Sequence, residues 1–261
     1  MRVRLYQVDA FTEHLFGGNP AAVCPLETWL AGEAMQAIAA ENNLAETAFY
    51  VREAGGHAIR WFTPASEVDL CGHATLAAAW VVFNEDRHAG DRVDFASRSG
   101  VLHVRREGSL LTLDFPVDRL AEIPLTPAFA DALGRPPVAA FKGRTDYMLV
   151  YGAEDEVAAL APDMVKIAAF PARGLIVTAP GRDVDFVSRF FAPQVGIAED
   201  PVTGSAHTSL TPYWAQRLGK PELDAVQLSR RRGTLRCRMA GDRVEIAGHA
   251  VPYLSGFITL P

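Results

Sequence analysis

The feature that most constrains this chain is a long-period internal repeat. Ser97-Arg98-Ser99-Gly100-Val101-Leu102, with Gly108 eight residues after Gly100, is echoed by Arg230-Arg231-Arg232-Gly233-Thr234-Leu235, with Gly241 eight residues after Gly233. The shift is 133 residues, and under it the alternating apolar positions Leu111 and Leu113 fall on Val244 and Ile246. A second pair occurs in the same order: Arg60-Trp61-Phe62-Thr63-Pro64 is echoed by Arg189-Phe190-Phe191-Ala192-Pro193, and each copy precedes a loop and a glycine-opened helix. A period this long excludes solenoids and propellers, whose repeats run about 20–50 residues. It favours two similar domains that share a cleft.

Local patterning fills in the halves. Val3, Leu5 and Gln7 alternate with Arg2, Arg4 and Tyr6 as a first strand, and the turn-rich Gly17-Gly18-Asn19-Pro20 leads to the apolar run Ala21 to Cys24. Helical spacing predicts a helix from Trp29 to about Glu41, stopped by Asn42-Asn43, and places Glu46 where the chain enters a strand over Thr47 to Val51. After a strand at His57 to Phe62, the segment Thr75 to Phe83 is apolar nearly all round, the pattern of a buried helix. Strands are expected near Arg92 to Ala96, Gly100 to Arg105 and Leu110 to Phe115, and the stretch from Pro116 through Pro124 to Pro127 marks a boundary. The expected domains are 1–117 and 118–261, with the last few residues free to pack back on the first.

A formal charge of −6 argues against a nucleic-acid partner. The one basic cluster, Arg230 to Arg232 with Arg236 and Arg238, reads as a solvated strand edge, with a docking surface or substrate-anion contact as the alternative. Cys24, Cys71 and Cys237 form no CxxC pair and no disulfide framework, which fits a reducing compartment. No apolar run approaches membrane-spanning length, and the N-terminus has no signal-peptide core, so a cytoplasmic, soluble protein is expected.

The helix openings Cys71-Gly72-His73-Ala74-Thr75 and Asp200-Pro201-Val202-Thr203-Gly204-Ser205-Ala206-His207 point to chemistry. A small residue there lets backbone N–H groups approach an anion at the positive end of a helix, and carboxylates suit such ends. Two openings facing one cleft would give two anion-holding elements; the alternative is that the glycines start the helices and Thr75 and Ser205 cap them. Pro212, inside the second helix over Ser205 to Leu218, should kink it unless a threonine or water satisfies the carbonyl it frees.

Taken in order, Asp9-Ala10-Phe11 with Gly18-Asn19-Pro20-Ala21, Asn43-Leu44-Ala45-Glu46-Thr47, Phe62-Thr63-Pro64 with Cys71-Gly72-His73-Ala74-Thr75, and Glu199-Asp200-Pro201-Val202-Thr203-Gly204-Ser205-Ala206 resemble the motifs of the PhzF family of phenazine biosynthesis-like isomerases. The resemblance spans nearly the whole chain. It implies an α+β fold of two similar domains, each a β-barrel-like sheet wrapped around a central helix, in the superfold of diaminopimelate epimerase and proline racemase. It further implies an isomerase with no metal or organic cofactor, a homodimer, and a small carboxylate-bearing substrate. Residue by residue, Glu46 becomes the general acid/base assisted by His73 and Asp200, and Gly72, His73, Gly204 and Ser205 become substrate-binding.

The chemistry of the residues agrees with that carry-over. Moving a proton on carbon beside a carboxylate needs a base tuned near neutrality and donors to hold the developing charge. Thiol-based epimerases of the superfold place one cysteine at each opening; here Cys71 has no counterpart, since the second opening offers Asp200-Pro201. A racemase or epimerase using Cys71, and a non-catalytic binding protein on the same fold, remain the alternatives. A Cys/His hydrolase built on Cys71 with His73 or His207 lacks an orienting acid, and zinc held by Cys71, His73 and His207 matches no common ligand spacing.

Overall fold

The computed structural model describes residues 1–260, and their alternating apolar runs pair as strands in two compact units. One unit is Met1–Asp114 with the segment from Ala247 onward; the other is Phe115–Ile246.

The first unit runs β1 (Arg2–Ala10), β2 (Asn19–Leu26), α1 (Gly32–Asn42), β3 (Glu46–Glu53), β4 (Gly56–Phe62), β5 (Glu67–Val68), α2 (Gly72–Asn84), β6 (Arg92–Ser97), β7 (Gly100–Glu107) and β8 (Leu110–Pro116). The second runs β9 (Ala121–Ile123), α3 (Pro127–Leu133), β10 (Ala139–Lys142), β11 (Asp146–Val150), α4 (Glu154–Ala158), α5 (Met164–Ala168), β12 (Gly174–Pro180), β13 (Phe186–Phe191), α6 (His207–Leu218), β14 (Glu222–Gln227), β15 (Gly233–Ala240) and β16 (Arg243–Gly248). The chain then returns to the first unit in β17 (Ala250–Thr259), which pairs antiparallel with β1.

Pairing in the two units follows one scheme. In the first, β2 and β3 are parallel, β3 and β4 antiparallel, β4 and β6 parallel, and β6 and β7 antiparallel. In the second, β11 and β12 are parallel, β12 and β13 antiparallel, β13 and β14 parallel, and β14 and β15 antiparallel. Parallel neighbours need a crossover, and helices supply it: α1 and α2 in one unit, α4 with α5 and α6 in the other. The echoed glycines open β7 and β15, and Gly108 and Gly241 turn the following hairpins at φ 61° and 70°, which a side chain would strain. The echoed arginines form the same contact: Arg60 clasps Glu67 through 2.7 and 2.8 Å hydrogen bonds, and Arg189 clasps Glu199 through 2.7 and 3.1 Å bonds.

All of α2 except Gly72, Trp80 and Asn84 is buried, as its all-round apolar sequence requires. Met35, Ile38 and Ala39 of α1 pack with Val3, Cys24, Phe49 and Phe62 on the opposite face of the strands. In the second unit, Phe129, Leu133, Val157 and Ile167 from α3 to α5 pack on Leu149, Leu175, Val177 and Phe191. Trp214 of α6 stacks on Phe186 and donates its indole N–H to Thr178 Oγ1 at 3.0 Å.

The structure refines the reading of the second helix. It opens with a 3-10 turn, Gly204–Ala206, before α6 begins at His207. Pro212 cannot bond the carbonyl of Thr208, and the acceptor is satisfied instead by the backbone N–H of Asp118 at 3.2 Å. Asp118 also accepts from Ser209 Oγ at 2.9 Å, so the boundary loop after β8 repairs the proline defect. Arg230–Arg232 precede β15, and Arg236 and Arg238 project from its exposed side. Among the described residues no helix is long and apolar enough to cross a membrane.

Candidate active site

Strand alternation decides which side chains meet α2. Phe49 of β3 faces α1, so Glu46, Ala48 and Tyr50 project to the other side, and on β2 Cys24 faces α1 while Asn19, Ala21 and Val23 oppose it. Parallel register pairs Ala21 with Glu46, the first residue of β3. The opening of α2 brings Cys71 and His73 to the same end, and Glu46, Cys71 and His73 are all buried there, each with a potential ligand or proton-carrying atom within 4.8 Å of the others.

His73 is the hub. Its Nε2 lies 3.1 Å from Glu46 Oε2, an ion-pair distance without the alignment of a hydrogen bond, and neither atom has another hydrogen-bonding partner. Asn19 Nδ2 is 3.2 Å from His73 Nδ1, and Cys71 Sγ is 3.5 Å from the same nitrogen. With the Asn19 amide so placed, Nδ1 accepts and the ring proton points to Glu46; the imidazolium would be served by the amide turned over, presenting its oxygen. Burial works against charge on His73, but the Cys71 sulfur and the Glu46 carboxylate more than offset it and hold the imidazole well above its ordinary value. Burial, then Glu46, pushes the Cys71 thiol up to about 11, so at neutral pH it is a thiol. Cys24 and Cys237 are buried thiols on strands, each pushed to about 12 by burial.

The second opening is built from other groups. Asp200 accepts from Thr203 Oγ1 at 2.6 Å, and Gln227 braces the turn, donating to the Asp200 carbonyl at 2.7 Å and accepting from the Thr203 N–H at 2.8 Å. Ser205 Oγ accepts from Arg173 Nη2 at 3.0 Å, and Arg173 forks onto both carboxylate oxygens of buried Asp146. His207 hydrogen-bonds only the Thr203 carbonyl, at 2.9 Å, and burial lowers it to about 4. Neither opening is capped by its hydroxyl: Thr75 Oγ1 donates back to the Cys71 carbonyl, and Ser205 is taken by Arg173.

The structure thus gathers Glu46, Gly72 and His73 at the opening of α2, and Asp200, Gly204 and Ser205 at the turn before α6. Asn19, Arg173, Asp146, Thr203 and Gln227 were not singled out as site residues in the sequence. Asn19 carried a faint signal, a polar residue opening a buried strand. Arg173 and Asp146 carried none, because only the parallel register of β11 and β12 brings them together.

Comparison with known proteins agrees with the fold. The family model for PhzC-PhzF, phenazine biosynthesis-like protein, matches residues 8–256. An uncharacterized isomerase of Pseudomonas aeruginosa is 56% identical over the full length of both chains. A crystal structure of a phenazine biosynthesis protein of the PhzF family from Enterococcus faecalis superposes with a TM-score of 0.98 at 48% identity, covering all of both chains. A hydroxyproline epimerase from Agrobacterium vitis shares the fold at a TM-score of 0.65 and 9% identity, over 98% of this chain and 92% of its own. With its two similar units and diaminopimelate epimerase-like fold, this chain belongs to the PhzC-PhzF family and is an isomerase.

Proposed function

We propose that the chain moves a proton on a small carboxylate-bearing substrate with Glu46 as the acid/base and His73 as its charge partner. The observation that carries this reading is the buried Glu46–His73 contact of 3.1 Å at the opening of α2, with an oxygen and a nitrogen that no other protein group engages. A carboxylate beside a cation can take a proton from carbon adjacent to the substrate carboxylate, leaving the electron pair delocalised into that group or a conjugated double bond. The Glu46 carboxylic acid then returns the proton to a second carbon on the same face, so bonds made and broken balance and one side chain serves both half-reactions. His73 and the first N–H groups of α2 supply positive potential to the developing anion. Asp200 assists, and Gly204 and Ser205 hold substrate, in the role their motif carries; the hydrogen bond fixing the Ser205 hydroxyl supports it.

A second reading makes Cys71 the base, and its 3.5 Å contact with His73 favours it. A thiol held near 11 weighs against it, as does Thr203, which stands before Gly204 where a second thiol would be needed. Proton exchange in heavy water separates these readings. Wild type should label cyclic or amino-acid carboxylates it turns over, Glu46→Gln should bind without labelling them, and labelling at the wild-type rate by that variant refutes the assignment. The homodimer belongs to the same proposal, and light scattering on the purified chain tests it.

A further inference from the structure

The far end of α2 carries a second polar feature that the acid/base site does not use. A groove of about 660 Å³ lies there, bordered by Arg4, Arg52 and Arg87 against the carboxylates of Glu27 and Asp86. A neighbouring groove of about 390 Å³ shares Arg52, His57 and His88 with it, so these three side chains stand where the two meet.

The charges at this place are not internally matched. Asp86 is consumed: Arg4 binds it at 3.1 Å and the Tyr50 hydroxyl donates to it at 2.6 Å. Among the described residues Arg52 and Arg87 have no side-chain hydrogen bond or ion pair, and Arg87 is held at φ 54°, a backbone conformation that costs a non-glycine residue energy. His57 packs against the Tyr50 and Phe95 rings, its buried Nδ1 has no hydrogen-bonding partner, and burial lowers its affinity for a proton. His88 Nε2 is spent on the Arg92 carbonyl at 3.0 Å, which leaves its other nitrogen. Against these donors the groove offers one carboxylate not already engaged, Glu27, so an imidazole and two guanidinium groups outnumber the acceptors beside them.

We propose that this groove binds a phosphate-type dianion, free or as a phosphate monoester, held by Arg52, Arg87 and His57. The three side chains come from β3, β4 and the turn after α2 and line one groove, and donors drawn from three separate elements suit the three terminal oxygens of a tetrahedral phosphate better than the planar pair of a carboxylate. Pro25, Leu26 and Val82 line the same groove and offer an apolar wall to the body of an ester.

The test is a titration of the full chain with inorganic phosphate at constant ionic strength, read by the imidazole resonances of His57 and His88 and by calorimetry, with phenyl phosphate and malonate as parallel arms. Saturable shifts are expected with both phosphates, weakened tenfold or more in Arg52→Ala/Arg87→Gly, in which glycine also relieves the left-handed backbone. Glu46→Gln should leave this binding unchanged, so the outcome is independent of the acid/base assignment. The proposal is overturned if shifts grow linearly without saturation, if malonate binds as tightly as phosphate, or if the double variant binds like wild type.

Discussion

The two helix openings are one structural solution filled with two chemistries. Cys71-Gly72-His73-Ala74-Thr75 aligns with Thr203-Gly204-Ser205-Ala206-His207 at a shift of 132 residues, and the last residue of each stretch bonds back to the carbonyl four positions earlier: Thr75 to Cys71 and His207 to Thr203. Backbone and turn are therefore shared. The residue opening the adjacent parallel strand differs: Glu46 begins β3, whereas Gly174 begins β12. A Cβ on Gly174 would lie 2.3 Å from the Phe190 ring, so the place an acid would occupy is already filled. Arg173, one residue earlier, reaches Ser205, and the acid–imidazole pair of one unit becomes a guanidinium–hydroxyl pair in the other. Duplication preserved the frame, and single side chains at strand starts set the chemistry.

The comparison breaks first at Glu46. If proton transfer belongs to the α2 opening, Glu46→Gln should lower turnover by about 10²–10⁴-fold with an unchanged circular dichroism spectrum, while Asp200→Asn should cost more than about tenfold in the same steady-state assay. Equal losses in the two variants would make the openings chemical equals.

Next in size is a pair of opposite pH dependences. The folded value of His207, about 4, lies below its ordinary 6.5, so the unfolded chain binds the extra proton between those limits. Its contribution, on the order of 3 kcal/mol at most, is full above about 6.5 and lost as pH falls toward 4. His73 has the opposite sign: its folded value is raised, so its contribution is full below 6.5 and fades as pH climbs through the folded value. Urea unfolding against pH should show an acid-side loss of stability that His207→Gln reduces, and an alkaline-side loss that His73→Gln reduces. An acid limb unaltered by His207→Gln would mean that other groups govern it.

Smaller effects sharpen the remaining differences. Gly174→Ala should destabilise by about 1–3 kcal/mol through the collision with Phe190, measured as a lower thermal midpoint, and a neutral result would show that Phe190 yields. Cys71→Ala should keep turnover within about tenfold, roughly 1.4 kcal/mol of barrier, because a buried thiol near 11 is a filler rather than a base at neutral pH. Activity at background in Cys71→Ala with activity retained in Glu46→Gln would transfer the reaction to sulfur.

Much of this was legible in the linear chain. Period-two runs marked the strands, the all-round apolar stretch marked α2 as buried, and the paired glycine–arginine echoes marked two similar halves, because these depend on neighbours in sequence. Glu46, Gly72, His73, Asp200, Gly204 and Ser205 stand out as candidates because each lies in a contiguous motif. The 3-10 opening of the second helix and the repair of Pro212 by Asp118 were not, since the donor lies more than 90 residues earlier in the chain.

What the sequence determined by itself is the periodicity, the repeat and the identity of the groups that can carry a proton. Tertiary structure alone decided their partners. Parallel register put Ala21 beside Glu46 and Asp146 beside Gly174, and burial lowers His207 while Cys71 and Glu46 raise His73 against its burial. The physical reason is that protonation and pairing follow from which groups share a low-dielectric space, a property of packing that strand alternation constrains but does not specify.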